Sequence, residues 1–156
     1  MEDRVIRLPQ IEDLNQVIDI ENSCFPVPWS EEIFLRIVLC RGKYKADEDV
    51  FVHMKVMARQ GVVIGYIIWE ESFSDESGHI LNLAVREGER GRGNGRLLLD
   101  HALKGMRKAG MKMCELEVRE SNHNARDLYT KAGMMAVDRA ERYYDDEDAI
   151  IYAIEF

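Results

Sequence analysis

The sequence has no long apolar run and no leader-like start, and it contains only 3 prolines and 3 cysteines. A membrane-spanning helix needs about 20 consecutive apolar residues, and no stretch of this chain approaches that length. Residues 1–5 lack the basic segment followed by an apolar one that marks a secretion signal. These absences predict a cytoplasmic protein that does not contact a membrane.

The cysteines are too few and too scattered for a disulfide framework. Cys24, Cys40 and Cys114 are odd in number and far apart, which is typical of free thiols in a reducing compartment. Their spacing matches no common zinc pattern, and the 4 histidines do not cluster with them. We therefore expect neither a disulfide nor a metal site.

Positive charge is also scarce, because 21 basic residues stand against 29 acidic ones and give a net charge of -8. A basic surface for DNA is therefore not expected, whereas an acidic protein attracts cationic partners such as amines or basic peptides. The length of 156 residues suits one ordinary domain. Since no linker or low-complexity segment interrupts it, residues 1–156 are predicted to form a single domain.

What the sequence does contain is an alternation of strand and helix patterns. Strands are predicted at residues 4–8, 50–59, 62–69, 79–85, 113–118, 134–143 and 149–156, the last two paired antiparallel. Helices are predicted at residues 11–24, 30–40, 93–109 and 122–132, with Ser30 and Asn122 as N-caps and with Gly110 and Gly133 as C-terminal stops. The pattern predicts an α/β domain with a mixed sheet.

A turn rich in glycine and arginine follows the strand that ends at Val85, and it leads directly into a helix. Its sequence is Arg90-Gly91-Arg92-Gly93-Asn94-Gly95-Arg96. Glycines let the backbone approach a phosphate, the free N–H groups of the first helical turn point at it, and the arginines add positive charge. The motif lacks the Gly-Lys-Ser/Thr end of a P-loop and the third glycine of a dinucleotide fingerprint. A tight turn without ligand is the alternative, but this composition favours a ligand that carries a pyrophosphate.

The predicted strand at residues 113–118 has one apolar face, while the other face carries Glu115 and Glu117. Strands inside an α/β sheet are usually apolar on both faces, so an acidic face indicates an opening to a cleft. On the residues alone, an ordinary half-solvated strand explains the pattern equally well. In the last predicted helix, Tyr129 lies on the apolar face, where an aromatic side chain is more often part of the core.

The motif Arg90-x-x-Gly93-x-Gly95 after a strand resembles the acetyl-coenzyme A signature of the GNAT superfamily of N-acetyltransferases. Further segments match the RimI family within it, the bacterial N-terminal acetyltransferases of a ribosomal protein. These segments are residues 25–30, 79–85 and 116–122, together with Ala125, Leu128-Tyr129, Gly133, residues 142–144 and residues 147–149. The chain departs from the family at Met134, where phenylalanine is usual, and at Gly88, where a bulkier residue is common. The resemblance covers nearly the whole chain.

The resemblance implies the GNAT fold, in which a mixed, mostly antiparallel central sheet is flanked by about four helices. It also implies acetyl-coenzyme A as co-substrate and no metal. The residues expected to bind the coenzyme are Leu83, Ala84, Val85, Arg90, Gly91, Arg92, Gly93, Asn94, Gly95, Arg96 and Asn122. Among them, Leu83 and Val85 would contribute backbone groups, because the strand before the glycine turn splays from its neighbour in this superfamily.

The resemblance further implies that Glu117 is the general base and that Tyr129 is the general acid which protonates the departing thiolate. A phenol with a pKa near 10 is a suitable donor to a thiolate. The acceptor groove would include Phe25, Trp29, Tyr143 and Tyr144.

The expected acceptor is the N-terminal α-amino group of a protein, with a ribosomal protein that begins with alanine as the leading case. An α-amino group has a pKa near 8, against about 10.4 for lysine, and is the easier of the two to deprotonate. The acidic residues 145–148 would attract a basic peptide, or they form a solvated turn. Two alternatives stay open, namely acetylation of a small-molecule amine and a non-enzymatic module that binds acetyl-coenzyme A.

Overall fold

The computed structural model describes residues 3–156, and in that part of the chain eight strands form one sheet. The strands are β1 (Arg4–Arg7), β2 (Lys43–Asp47), β3 (Val50–Arg59), β4 (Val62–Ser72), β5 (Ser77–Val85), β6 (Met113–Arg119), β7 (Met135–Ala140) and β8 (Ala149–Glu155). The helices are α1 (Leu14–Cys24), α2 (Glu31–Leu39), α3 (Asn94–Lys108) and α4 (His123–Lys131), with short 3-10 turns at Ile11–Asp13 and Glu87–Glu89. The predicted α/β class and mixed sheet are confirmed.

The strand order is β1-β3-β4-β5-β6-β8-β7, and β2 also pairs with β3. Every pairing is antiparallel except that between β5 and β6. The parallel pairing contains only three residue pairs, from Ser77 with Met113 to His79 with Glu115. Beyond His79 the two strands no longer pair, so the sheet opens between the rest of β5 and the rest of β6.

Helices cover both faces of the sheet because its central strands are apolar on both sides. On one face, α3 and α4 bury a cluster that includes Leu98, Met106 and Leu116. On the other face, α1 and α2 bury a cluster that includes Phe34 and Tyr66. Strand β6 alternates as predicted, since its residues Cys114, Leu116 and Val118 are buried in the first cluster.

The structure differs from the sequence-based assignment at several strands, and β4, for example, runs to Ser72 instead of residue 69. Strand β2 was not predicted, because Lys-Tyr-Lys-Ala-Asp is short and mostly polar and lies largely exposed at the sheet edge. Strand β7 ends at Ala140 instead of residue 143, and residues 141–148 form an irregular loop with a positive φ at Arg142 and Asp145. Ser30 does precede α2, but its side chain makes no capping hydrogen bond.

The helix ends follow the predicted chemistry. Helix α3 stops at Lys108 and α4 at Lys131, and each is soon followed by a glycine in the left-handed region, Gly110 at φ +92° and Gly133 at φ +96°. Helix α3 begins at Asn94, one residue after Gly93, whose φ of +81° turns the chain from the glycine-rich segment into the helix. The glycine-rich turn is therefore fixed to the N-terminus of α3.

The close approach of β4 and β5 supports the strand that leads to this turn and yields a stability prediction. A Cβ at Gly65 would lie 2.9 Å from the Ala84 carbonyl oxygen and 3.1 Å from Leu98 Cδ1. Because a backbone atom cannot move aside cheaply, we expect Gly65→Ala to lower the free energy of unfolding by about 1–3 kcal/mol. Gly88→Ala is the control, since a Cβ there meets no atom within 4 Å. Urea unfolding measures both, and equal effects would contradict the steric explanation.

Candidate active site

Two cavities meet where β5 and β6 separate. The first, of about 490 Å³, is bordered by the C-terminal part of β6 and by the loop between β7 and β8, and is called here the hairpin-side cavity. The second, of about 550 Å³, is bordered by the glycine-rich turn and α4, and is called the glycine-turn cavity. Leu83, Ala125 and Tyr129 line both cavities. These three residues therefore surround the passage from one cavity to the other.

The glycine-rich turn forms an open cradle at one end of the glycine-turn cavity. Gly91 and Gly93 have φ values of +77° and +81°, and a Cβ at either position would meet no atom within 4 Å. Gly95 lies in the first turn of α3, where backbone N–H groups have no partner within the helix. Positive-φ backbone, empty space and free N–H groups together suit an anion, as predicted for a phosphate.

The three arginines of the turn differ in their positions. Arg90 lines the cavity and has no carboxylate partner among residues 3–156; its Nη2 lies 3.0 Å from Cys24 Sγ. Arg96 also lines the cavity and is paired with Asp100, with Nε 3.0 Å from Oδ1. Arg92 lies outside the set of cavity-lining residues and pairs with Glu89 at 3.5 Å. Among these three arginines, Arg90 therefore supplies the least compensated positive charge in the glycine-turn cavity.

Asn94 has a different position from the one expected of a ligand-binding side chain. It is only 2% exposed, its Nδ2 donates to the Glu89 carbonyl at 2.9 Å, and its Oδ1 accepts from Arg4 Nη1 at 2.6 Å. The side chain thus holds the turn in shape, while the residue itself lines the cavity.

The backbone groups predicted at the end of β5 are only partly available. Leu83, Ala84 and Val85 line the glycine-turn cavity as expected. The Val85 carbonyl, however, already accepts a hydrogen bond from Arg90 Nε at 3.1 Å.

Glu117 and His79 form an ion pair at the gap between β5 and β6. His79 Nε2 lies 2.8 Å from Glu117 Oε1, and the Tyr143 hydroxyl donates to the same oxygen at 3.3 Å. Burial alone would raise the pKa of Glu117, but the hydrogen bond and charge of His79 outweigh it and hold that pKa below its ordinary value. The same hydrogen bond raises the pKa of His79, against the effect of burial, and Glu70 and Glu115 add to the rise.

Tyr129 lies in the passage between the two cavities. It is 8% exposed, and its hydroxyl makes no hydrogen bond to any residue of the described chain. Burial raises the pKa of Tyr129, and the Tyr144 phenol and the Cys114 thiol add to that rise. The hydroxyl therefore stays protonated and has no internal acceptor for its proton. Asn122 is the N-cap of α4, as predicted, and accepts from Ala125 N at 3.2 Å, but it lines the hairpin-side cavity.

Four aromatic residues predicted for the acceptor groove all line the hairpin-side cavity, namely Phe25, Trp29, Tyr143 and Tyr144. Trp29 also packs on Phe34, with ring centroids 5.8 Å apart, so it belongs to the core as well as to the cavity wall.

Three carboxylates of the acidic loop between β7 and β8 form ion pairs within the chain. Asp146 and Glu147 pair with Arg119 at 2.9 and 3.1 Å, and Asp148 pairs with Arg139 at 2.9 Å. Asp145 has no ion-pair partner among residues 3–156 and lines the cavity. Because Asp146 and Glu147 share one arginine and Asp145 has none within the described residues, part of the negative charge that would attract a basic peptide remains.

Sequence reasoning missed Glu21, which lines the same cavity and is 1% exposed. Its carboxylate accepts hydrogen bonds from the Tyr66 hydroxyl, from Asn82 Nδ2 at 2.7 Å and from Trp29 N at 2.8 Å. Burial raises the pKa of Glu21 despite these three donors. The available signal was an acidic residue on the apolar face of α1, one position after the buried Ile20.

The Glu117–His79 pair predicts a titration that can be observed directly. We expect the His79 imidazole to titrate above its ordinary pKa of 6.5, and at a lower pKa in Glu117→Gln than in the wild type, because the largest effect that raises the pKa is then lost while burial still lowers it. Glu115→Gln is the control, since it removes a carboxylate from the same strand without breaking the hydrogen bond. NMR titration of the imidazole resonances measures all three proteins. An unshifted His79 in Glu117→Gln would contradict the ion pair.

The same pair predicts a pH window for stability. Glu117, whose folded pKa is lowered, contributes stability above its ordinary value of 4.5 and loses it as the pH falls through the folded pKa. His79, whose folded pKa is raised, contributes below 6.5 and loses its contribution as the pH rises through the folded pKa. The difference in unfolding free energy between wild type and Glu117→Gln should therefore be largest between 4.5 and 6.5. Urea unfolding over a pH series measures it, and a difference that grows above that range would contradict the window.

No helix within residues 3–156 is long and apolar enough to cross a membrane. In the same residues, no group of three or more histidine, cysteine, aspartate or glutamate side chains is placed to hold a metal ion.

Comparison with known proteins identifies the family. The profile of the Acetyltransferase (GNAT) family matches residues 14–134. A Bacillus subtilis protein, provisionally named ribosomal protein bS18-alanine N-acetyltransferase, is 32% identical over 94% of this chain and 91% of its own. An N-alpha-acetyltransferase of Sulfolobus acidocaldarius is 32% identical over 95% of this chain and 90% of its own. The crystal structure of the ribosomal-protein-S18-alanine N-acetyltransferase from Escherichia coli superposes with a TM-score of 0.80, at 28% identity over 97% of this chain and 93% of that one. The chain therefore has the GNAT fold, belongs to the GNAT acetyltransferase family and is an N-acetyltransferase of that type.

Proposed function

We propose that this protein transfers the acetyl group of acetyl-coenzyme A to the N-terminal α-amino group of a protein, with a ribosomal protein that begins with alanine as the leading acceptor. The observation that carries the proposal is the placement of Glu117 and Tyr129. Glu117 lines the hairpin-side cavity, and Tyr129 lies in the passage that joins it to the glycine-turn cavity. A base on the acceptor side and an acid at the junction are what direct acyl transfer requires.

The glycine-turn cavity fits the coenzyme. The cradle at Gly91 and Gly93 has room for phosphate oxygens, the first turn of α3 offers N–H donors, and Arg90 adds a cation. Leu83 and Ala125 line the way from this cradle to the passage. When bound, acetyl-coenzyme A supplies the thioester whose acetyl group is transferred. Arg92 and Asn94 would act on the shape and charge of the turn, because Arg92 lies outside the cavity and the Asn94 side chain is buried.

The proton of the acceptor ammonium goes to the Glu117–His79 pair. A carboxylate whose pKa is lowered is a weak base toward an α-amino group with a pKa near 8. His79, whose pKa is raised above 6.5, is closer to that value and lies 2.8 Å from Glu117. The Glu117–His79 pair, with His79 in its neutral form, is therefore a better base than Glu117 alone. Within the pair, Glu117 provides the oxygen atom on the cavity side. Within the passage, Tyr129 keeps its proton until a thiolate develops nearby.

The hairpin-side cavity suits the N-terminus of an extended peptide chain. Its mouth is formed by two exposed segments, residues 25–29 and residues 141–148, so that an extended chain can leave it. The aromatic side chains of Phe25, Tyr143 and Tyr144 offer flat surfaces to a peptide backbone. The relatives named for bS18-alanine and for N-alpha-acetylation support the same acceptor class, and a ribosomal protein places the reaction in the cytoplasm.

Coenzyme A release from acetyl-coenzyme A tests the proposal with three groups of acceptors. These are basic peptides that begin with alanine, the same peptides with blocked N-termini, and polyamines. We expect turnover on the free peptides alone. Activity on polyamines without activity on peptides would replace the proposed acceptor by a small amine, and coenzyme binding without any turnover would indicate a non-enzymatic module.

Substitutions at the proposed acid and base test the mechanism in the same assay. Glu117→Gln and Tyr129→Phe should each lower kcat by roughly 10²–10⁴-fold, the range typical of a lost acid or base. Glu115→Gln, on the same strand and face, should change kcat by less than about threefold. Loss of activity in Glu115→Gln equal to that in Glu117→Gln would contradict the assignment of the base.

A further inference from the structure

We propose that Arg119 is a positioning residue for the acceptor, which holds Tyr144, and through it Tyr143, in place beside Glu117. The inference rests on the proposed function in one respect, because it takes the hairpin-side cavity as the acceptor site. Arg119, Glu117, Tyr143 and Tyr144 all line that cavity. Arg119 follows Glu117 by two residues on β6, so both side chains project from the same face of the strand.

The first part of the argument is the contact between Arg119 and the loop. Arg119 Nη1 lies 3.1 Å from Glu147 Oε1 and 2.9 Å from Asp146 Oδ1. Asp146 is 75% exposed and contributes little, whereas the Glu147 and Arg119 side chains are only 23% and 19% exposed. Glu147 is itself fixed by Ser121, whose N and Oγ donate to it at 3.1 and 2.9 Å. Arg119 and Ser121 thus attach the loop to the end of β6.

The second part is the contact between Arg119 and the tyrosines. The guanidinium carbon lies 4.4 Å from the centre of the Tyr144 ring, which is within cation–π distance. The Tyr144 ring packs edge-on against Tyr143, with centroids 4.9 Å apart and an interplanar angle of 77°. The Tyr143 hydroxyl donates to Glu117 Oε1 at 3.3 Å. The contacts run from Arg119 through two rings back to the neighbouring carboxylate on the same strand.

The third part is that the tyrosine rings lie on an irregular loop, whose backbone hydrogen bonds, such as that from Tyr144 N to the Glu147 carbonyl at 3.2 Å, fix the chain but not the rings. They lie in residues 141–148, which form neither helix nor strand, and Tyr143 is 54% exposed. An exposed ring on an irregular loop keeps one orientation only if a neighbour restrains it. Removal of the guanidinium should therefore free Tyr144 and Tyr143, weaken acceptor binding and remove a hydrogen bond from Glu117.

Arg139, near the end of β7, provides a control that pairs with the same loop. It pairs with Glu120 and Asp148 at 2.7 and 2.9 Å, so it too joins the loop to the end of β6 through two carboxylates. No ring contact joins it to Tyr143 or Tyr144 in the described chain. Loss of Arg139 removes an equal charge and a comparable ion pair without touching the tyrosines.

The experiment compares Arg119→Met, Arg119→Lys and Arg139→Met with the wild-type protein. We expect Arg119→Met to raise the acceptor KM about tenfold while the acetyl-coenzyme A KM changes less than about twofold. Arg119→Lys should recover part of the loss, because lysine keeps the charge but not the planar guanidinium. Arg139→Met should stay within about twofold of the wild type in both constants. Equal effects of Arg119→Met and Arg139→Met would overturn the proposal.

A second readout does not depend on turnover. Because the Tyr143 hydrogen bond lowers the pKa of Glu117, NMR titration of the Glu117 carboxyl carbon should show a higher pKa in Arg119→Met and in Tyr143→Phe. The double variant should show no further rise, since both substitutions remove the same contact. An unchanged Glu117 pKa in Arg119→Met would overturn the proposal even if no peptide is acetylated. If the wild-type protein does not acetylate peptides but the Glu117 titration gives the expected result, only the proposed acceptor is refuted.

Discussion

The site depends on how few residues join β5 to β6. Three parallel pairs hold the two strands together, and after His79 they diverge. Each strand is completed by antiparallel partners on its other side, β4 for β5 and β8 for β6, so the gap does not unravel the sheet. The gap provides a passage through the sheet, which hydrogen bonds and side chains would otherwise close. The glycine-rich turn at the end of β5 and the carboxylates of β6 are brought to opposite sides of it.

Two carboxylates in the same cavity, the buried Glu21 and the half-buried Glu117, are stabilised in different ways. Glu117 has a cationic partner in His79, and its pKa is lowered in spite of burial. Glu21 has three neutral donors, and burial prevails, so its pKa is raised. Neutral hydrogen bonds therefore do not replace a cation here. Glu21 joins α1 to the backbone of residue 29 and to β4 and β5, and it fixes the shape of the cavity wall.

A feature could be predicted from the sequence when it depends on residues that are close together in the chain. The glycine-rich turn and the alternation of β6 depend on adjacent residues, and both were visible in the sequence. The pairing of Glu117 with His79 joins residues 38 apart, and that of Glu21 with Asn82 joins residues 61 apart. Such contacts follow from sheet topology, which local patterns do not specify. Strand β2 was not predicted because it is short, mostly polar and exposed at the sheet edge. The Arg119 contacts depend on the folded loop.

The boundary between the two cavities consists of three residues, Leu83, Ala125 and Tyr129. Residues 25–29 and residues 141–148 border the hairpin-side cavity and contribute no residue to the glycine-turn cavity. Sequence change in those two segments can therefore alter one ligand's fit while the other ligand's site stays intact. If the proposed function holds, acceptor recognition can change in this way while the coenzyme site keeps its shape.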